Sequence, residues 1–93
     1  MRWRVDQIMY WKENGRVVVQ VDLFDLRGQL RHEKFYRPTA SYEQALEAVA
    51  LELAERGIEG TPRVRQRSGN SLQTQLPLQT RFHQWLKQYA SLH

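Results

Sequence analysis

The stretch RWRVDQIMYWKENGRVVVQVDLFDL, Arg2 to Leu26, sets two alternating runs on either side of Asn14-Gly15. Asn-Gly tolerates positive φ at both central positions of a tight type I′ turn, so the pair predicts a β-hairpin. In residues 2–12, Trp3, Val5, Met9 and Trp11 fall on one face, with Gln7 interrupting. Arg2, Arg4, Asp6, Tyr10 and Lys12 fall on the other, with Ile8 among them. In residues 16–26, Val17, Val19, Val21 and Leu23 oppose Val18, Gln20, Asp22 and Phe24. Period-two alternation of β-branched and aromatic residues marks a half-buried strand.

Outward from the hairpin, Asp25 to Gly28 reads as a short turn, Gly28 being free to take the left-handed conformation. Residues 29–36 give a third strand, which Pro38 ends. The result is a three-stranded antiparallel meander with one face to cover. Ser41-Tyr-Glu-Gln44 has capping-box spacing. Tyr42, Leu46, Val49 and Leu53, with Ala45, Ala50 and Ala54, form a helical stripe, and Gly57 is placed to end it. The spacing therefore predicts a helix over 42–56 that covers the meander, leaving Leu51 off the stripe. Residues 63–67 suggest a short fourth strand at a sheet edge, limited by Pro62. Residues 68–75, SGNSLQTQ, read as a polar loop. Pro77 suits a helix start, and Leu78, Phe82, Trp85, Leu86 and Tyr89 trace the apolar side of a C-terminal amphipathic helix over 77–92. The expected fold class is α+β, in the order β-β-β-α-(β)-α.

Ninety-three residues fit one small domain, 1–93: meander plus helix (1–57), a basic and polar strand–loop (61–75) and the last helix. With no cysteine there are no disulfides and no thiolate metal site. No window has the apolar length of a signal peptide or a membrane span, so a soluble cytoplasmic protein without a membrane partner is expected.

The charge is unevenly placed. Residues 1–60 hold nine Lys/Arg and ten Asp/Glu, whereas residues 61–93 hold five Lys/Arg and no acid. Arg63, Arg65 and Arg67 recur at every second position. On a strand they point the same way, about 6.6–6.8 Å apart, a spacing that can engage successive phosphates. The competing explanation is an edge strand kept soluble by charge, although such edges usually mix signs. Arg81 and Lys87 extend the basic region. Arg2, Arg4 and Lys12, with Tyr10, form a second group on the outer face of the first strand, shared with Asp6, Asp22 and Glu33. The three tryptophans read as core. The leading expectation is a non-enzymatic DNA- or RNA-binding protein, or nucleoprotein accessory, that makes mainly electrostatic phosphate contacts. The alternative is a small protein-interaction or regulatory module, homodimeric or with another partner, that uses the C-terminal helix or an exposed sheet edge, with Leu51, Phe82, Trp85 and Tyr89 as its contact residues.

Motifs for catalysis are absent. The chain has neither HxxxH nor HExxH, no glycine-rich phosphate loop and no GxSxG, so no metal or cofactor is expected. A small ribonuclease could still be built from scattered groups, for example His83 with Glu33 and an arginine.

In topology and rhythm, residues 2–57 resemble the three-strand-and-helix units of plant ethylene-response-factor domains and of phage integrase arm-binding domains. The features that carry this are strand 16–26, the Gly28 turn, strand 29–36 and the alanine-rich helix beginning at Ser41. In those families an Arg- and Trp-rich sheet lies in the DNA major groove, so the resemblance implies DNA as a partner. The sheet here carries Asp22, Asp25 and Glu33, and no residue role is carried over.

Overall fold

The computed structural model describes residues 2–92. The strands are β1 (Arg4–Glu13), β2 (Arg16–Phe24), β3 (Leu30–Arg37), β4 (Arg63–Ser68) and β5 (Ser71–Thr74), and the helices are α1 (Tyr42–Glu55) and α2 (Leu76–Ala90). The expected β-β-β-α-(β)-α architecture is present, with one addition: β5. The five strands form one sheet in the order β3-β2-β1-β4-β5. β1, β2 and β3 are the antiparallel meander, while β4 runs parallel to β1.

Local chemistry accounts for the meander. Asn14 (φ 53°) and Gly15 (φ 75°) supply the two positive φ values of the first turn, as the Asn-Gly pair predicts. At the second turn the Asp25 carboxylate accepts from the amides of Arg27 and Gln29, both at 2.9 Å. Ser41 caps α1 by accepting from the Gln44 amide at 3.2 Å. The reciprocal half of the capping box is replaced: Gln44 Oε1 accepts from the Thr39 hydroxyl, and Thr39 Oγ1 accepts from the Ser41 amide.

α1 carries the chain from the β3 edge back across the sheet, so β4 enters beside β1 and in the same direction. Close approach at the crossing requires Gly60. Its φ is 145°, and a Cβ there would lie 2.7 Å from the Val5 carbonyl oxygen. The chain then turns at Gly69-Asn70, and β5 pairs antiparallel with β4 from Arg65↔Thr74 to Ser68↔Ser71. Residues 68–75 are therefore a hairpin rather than a loop. Ladder hydrogen bonds hold β5, whose own side chains are all exposed.

Both helices lie on one side of the sheet and contact each other, α1 over β2 and α2 over β4. Val5, Ile8, Tyr10, Val17, Val19, Val21, Leu23, Phe35 and Val64 face them. Ala45, Leu46, Val49, Ala50 and Leu53 of α1, with Phe82 and Leu86 of α2, complete the core.

One face assignment differs from the sequence pattern. The β1–β2 register shifts between Val5 and Gln7, which leaves Asp6 as the extra residue of a bulge. A one-residue insertion exchanges the faces of everything beyond it. Ile8 and Tyr10 therefore point into the core at 0% exposure, while Gln7, Met9 and Trp11 point to the side without helices. Tyr10 is not an outer-face residue. The pKa of its hydroxyl is pushed up to about 12, by burial first and by neighbouring Tyr42 second.

Across the helical side, ion pairs join the layers. Arg56 at the end of α1 grips Glu33 of β3 with two hydrogen bonds, 2.8 and 2.7 Å. Those bonds hold the Glu33 carboxyl below its usual range, against an opposing effect of burial. The ionised form is thus favoured by folding. Its contribution is complete above the ordinary glutamate range, about pH 4.3, and is lost as pH falls through the lower folded value. We expect the urea midpoint to fall from pH 6 to pH 3, and to fall less in Glu33→Gln. Equal falls in the two proteins would show that the Arg56 grip adds nothing to stability.

Candidate nucleic-acid interface

Register places the arginine trio. Val64 pairs with Ile8 and is fully buried, so Arg63, Arg65 and Arg67 project from the opposite, helix-free face of the sheet. β4 is not an edge strand, since β1 flanks it on one side and β5 on the other. An edge-guarding role therefore does not explain its charges. The β5 edge itself carries no charged residue, whereas the β3 edge carries Arg31, Glu33, Lys34 and Arg37.

The neighbours of the trio are equally defined. Gln7 lies opposite Arg63 and Met9 opposite Arg65 on β1; Thr74 and Leu72 lie opposite Arg65 and Arg67 on β5. The Arg67 guanidinium sits 3.8 Å from the centre of the Trp11 ring. Lys34, across the sheet, lies 5.9 Å from the same ring, and Arg16 stacks on Tyr36 at 4.5 Å. Trp11 is therefore buried on the helix-free side, under cations, and not in the main core.

A hydrogen-bonded row crosses four strands of this face. Arg65 donates to Gln7 Oε1, and Gln7 Nε2 donates to Asp22 Oδ2 at 2.6 Å. Gln20 reaches Asp22 Oδ1 at 3.2 Å, and His32 Nδ1 lies 2.6 Å from the same oxygen. Burial acts to raise the Asp22 pKa, but the bonds from His32, Gln7 and Gln20 and the charge of His32 outweigh it, and the carboxyl is held below its usual range. Asp22 is thus engaged within the protein, and through Gln7 it orients Arg65. Two other acids approach the face: Asp6, 3.8 Å from Arg63, and Glu13, which accepts from the Trp11 indole at 3.4 Å.

The remaining basic candidates lie elsewhere. Arg81 is on α2 and pairs with Glu43 of α1 at 2.5 Å, so it does not join the trio. Lys87, also on α2, lines a groove of about 520 Å³ between that helix and residues 59–61. None of the trio borders this groove. Arg4 lies at its rim, 3.7 Å from Glu59. Arg2 is exposed ahead of β1. Glu33, held by Arg56, faces the helical layer and not the outer face.

The residues of the alternative expectation are largely used by the fold itself. Phe82 is fully buried, and Trp85 and Tyr89 pack against the core. The Tyr89 hydroxyl donates to Glu47 of α1 at 2.6 Å. An apolar helix face at this spacing serves the nearest unfilled core, which here is the α1–β4 angle. Leu51 keeps 38% exposure. His83 and Glu33 do not meet: His83 Nε2 lies 2.6 Å from the Pro62 carbonyl oxygen, while Glu33 is held by Arg56. His93 lies outside the described residues. Among the described residues, no helix is long and apolar enough to cross a membrane.

The class of protein this defines is an α+β fold with two helices on one face of a mixed five-stranded sheet and an arginine-bearing face left uncovered. No family model, curated protein or solved structure matches the chain.

Proposed function

We infer that the protein binds nucleic acid through the helix-free face of its sheet. The observation that carries this reading is the position of Arg63, Arg65 and Arg67: on an interior strand, on one uncovered face, at the repeat of a strand. Charge segregation supports it. Glu43, Glu47 and Glu52 lie on α1 and are engaged by Arg81, Tyr89 and Arg37, away from the trio. Guanidinium forks match phosphate oxygens, and phosphate contacts supply affinity with little sequence preference. Lys34 and Arg16 add charge across the same face, and half-exposed Tyr36 adds an aromatic surface.

Amide shifts on addition of a short oligonucleotide to isotope-labelled protein test the location. The expected map centres on Arg63–Arg67, Met9–Trp11 and Lys34, with Arg81 and Lys87 unmoved. A map centred on α2 would overturn the assignment of the face.

A further inference from the structure

The ladder between β1 and β4 ends at Tyr10↔Gln66. Beyond it lies an open cavity of about 390 Å³ at the end of the arginine row. Trp11 and Lys12 border it from β1, Arg67 and the Ser68–Gly69 turn from β4, and Tyr42 from the start of α1. The volume lies within the range of small-molecule sites, about 300–1,000 Å³. Two aromatic rings contribute to the lining and each already holds a cation: Arg67 at 3.8 Å from Trp11, and Lys12 at 5.0 Å from Tyr42. Gln66 also lines the cavity, and its amide meets only the Tyr42 hydroxyl, at 3.5 Å. That hydrogen bond is long, which leaves the amide free to pair with an incoming polar edge.

Aromatic faces, cations and one weakly held amide are what a nucleotide requires: a surface for the base, charge for its phosphate and a partner for its polar edge. We propose that this cavity takes one unpaired base of a single-stranded nucleic acid whose phosphates follow Arg63, Arg65 and Arg67. The inference rests on the reading given above and narrows it to single strands. Arg67 leaves the Trp11 ring for a phosphate, and the base takes its place on the indole. A duplex cannot supply the base without unpairing it, which makes the duplex the weaker ligand.

The test uses the whole protein with three probes at about 50 mM salt, where phosphate contacts are strong: an oligothymidylate, a duplex of equal length, and inorganic polyphosphate, which has charge but no bases. Anisotropy is read for the labelled oligonucleotides, and polyphosphate enters as a competitor. Trp11 emission is followed in a Trp3→Phe/Trp85→Phe background, and Gln66→Ala is compared with wild type. The single strand is expected to bind at least about fivefold more tightly than the duplex, the lower end of one base–aromatic stack. It should quench Trp11, which polyphosphate should not, and Gln66→Ala should shrink the single-strand preference while leaving competition by polyphosphate intact. Equal affinity for single strand and duplex, with Trp11 emission unchanged, overturns the base pocket and leaves phosphate binding standing. No binding of any of the three probes overturns both.

Discussion

Phe82→Ala is expected to cost about 3–5 kcal/mol of folding stability. Phe82 is fully buried where α2 meets α1 and β4, in a cluster with Leu86, Val64 and the alanines of α1. Removing the ring forfeits its burial and leaves a cavity that the rest of the core cluster, in which Ala45, Ala50 and Ala54 are small, does not readily fill. A domain of this size has roughly 5–14 kcal/mol in all, so the variant would retain a fraction of it. Chemical denaturation reads the effect as a lower midpoint at unchanged slope. Leu51→Ala on exposed α1 surface is the control and should stay within about 0.5 kcal/mol. A drop below about 1 kcal/mol for Phe82→Ala, far under the usual cost of truncating a buried ring, would mean that α2 is not docked as described and would free its apolar face for a partner.

Much of this fold is legible because the signals are local. Asn14-Gly15, the valines of β2, the Ser41 cap and the α1 stripe each name one element and one facing, and each is found. Tyr10 and Trp11 fall on the wrong faces when alternation is carried unbroken through β1. The sign of the bulge is present in the same stretch: Gln7 sits on the apolar side of the pattern and Ile8 on the polar side, as a one-residue slip requires. β5 is hidden for a different reason. Ser71-Leu-Gln-Thr74 has little apolar content, and its place is fixed by backbone pairing to β4, which leaves no mark on side-chain pattern.

The candidate site divides along the same line. That Arg63, Arg65 and Arg67 share a face follows from strand periodicity and can be read directly. That the strand is an interior one and its arginine face uncovered follows from β4 lying between β1 and β5 with both helices on the other side, a long-range fact. Arg81 groups with the trio by charge and nearness in sequence, yet its partner, Glu43, is 38 residues away. The Gln7–Asp22–His32 row and the cavity beside Trp11 join residues from three or more elements and have no sequence signal.

The second large effect concerns binding. Changing Arg63, Arg65 and Arg67 together to Gln keeps polar, hydrogen-bonding side chains at the three positions but removes three charges. All three lie on the helix-free face and outside the main core, so the fold should persist; circular dichroism and the denaturation midpoint check this. Removing one phosphate contact lowers the slope of log affinity against log salt by about 0.7–0.9. Three contacts amount to roughly 2–3 in slope, or about 20- to 40-fold in affinity between about 50 and 200 mM salt. A residual, shallower salt dependence should remain from Lys34 and Arg16 on the same face.

That slope is the most direct measure of phosphate binding by the arginine face. Fluorescence anisotropy of labelled single- and double-stranded oligonucleotides, titrated with wild type and with the triple variant at both salt concentrations, provides it. Wild type is expected to bind in a salt-sensitive way, and the variant to show a slope lower by about 2–3. Wild type that fails to bind at the lower salt, or a variant with an unchanged slope, would contradict phosphate binding by that face.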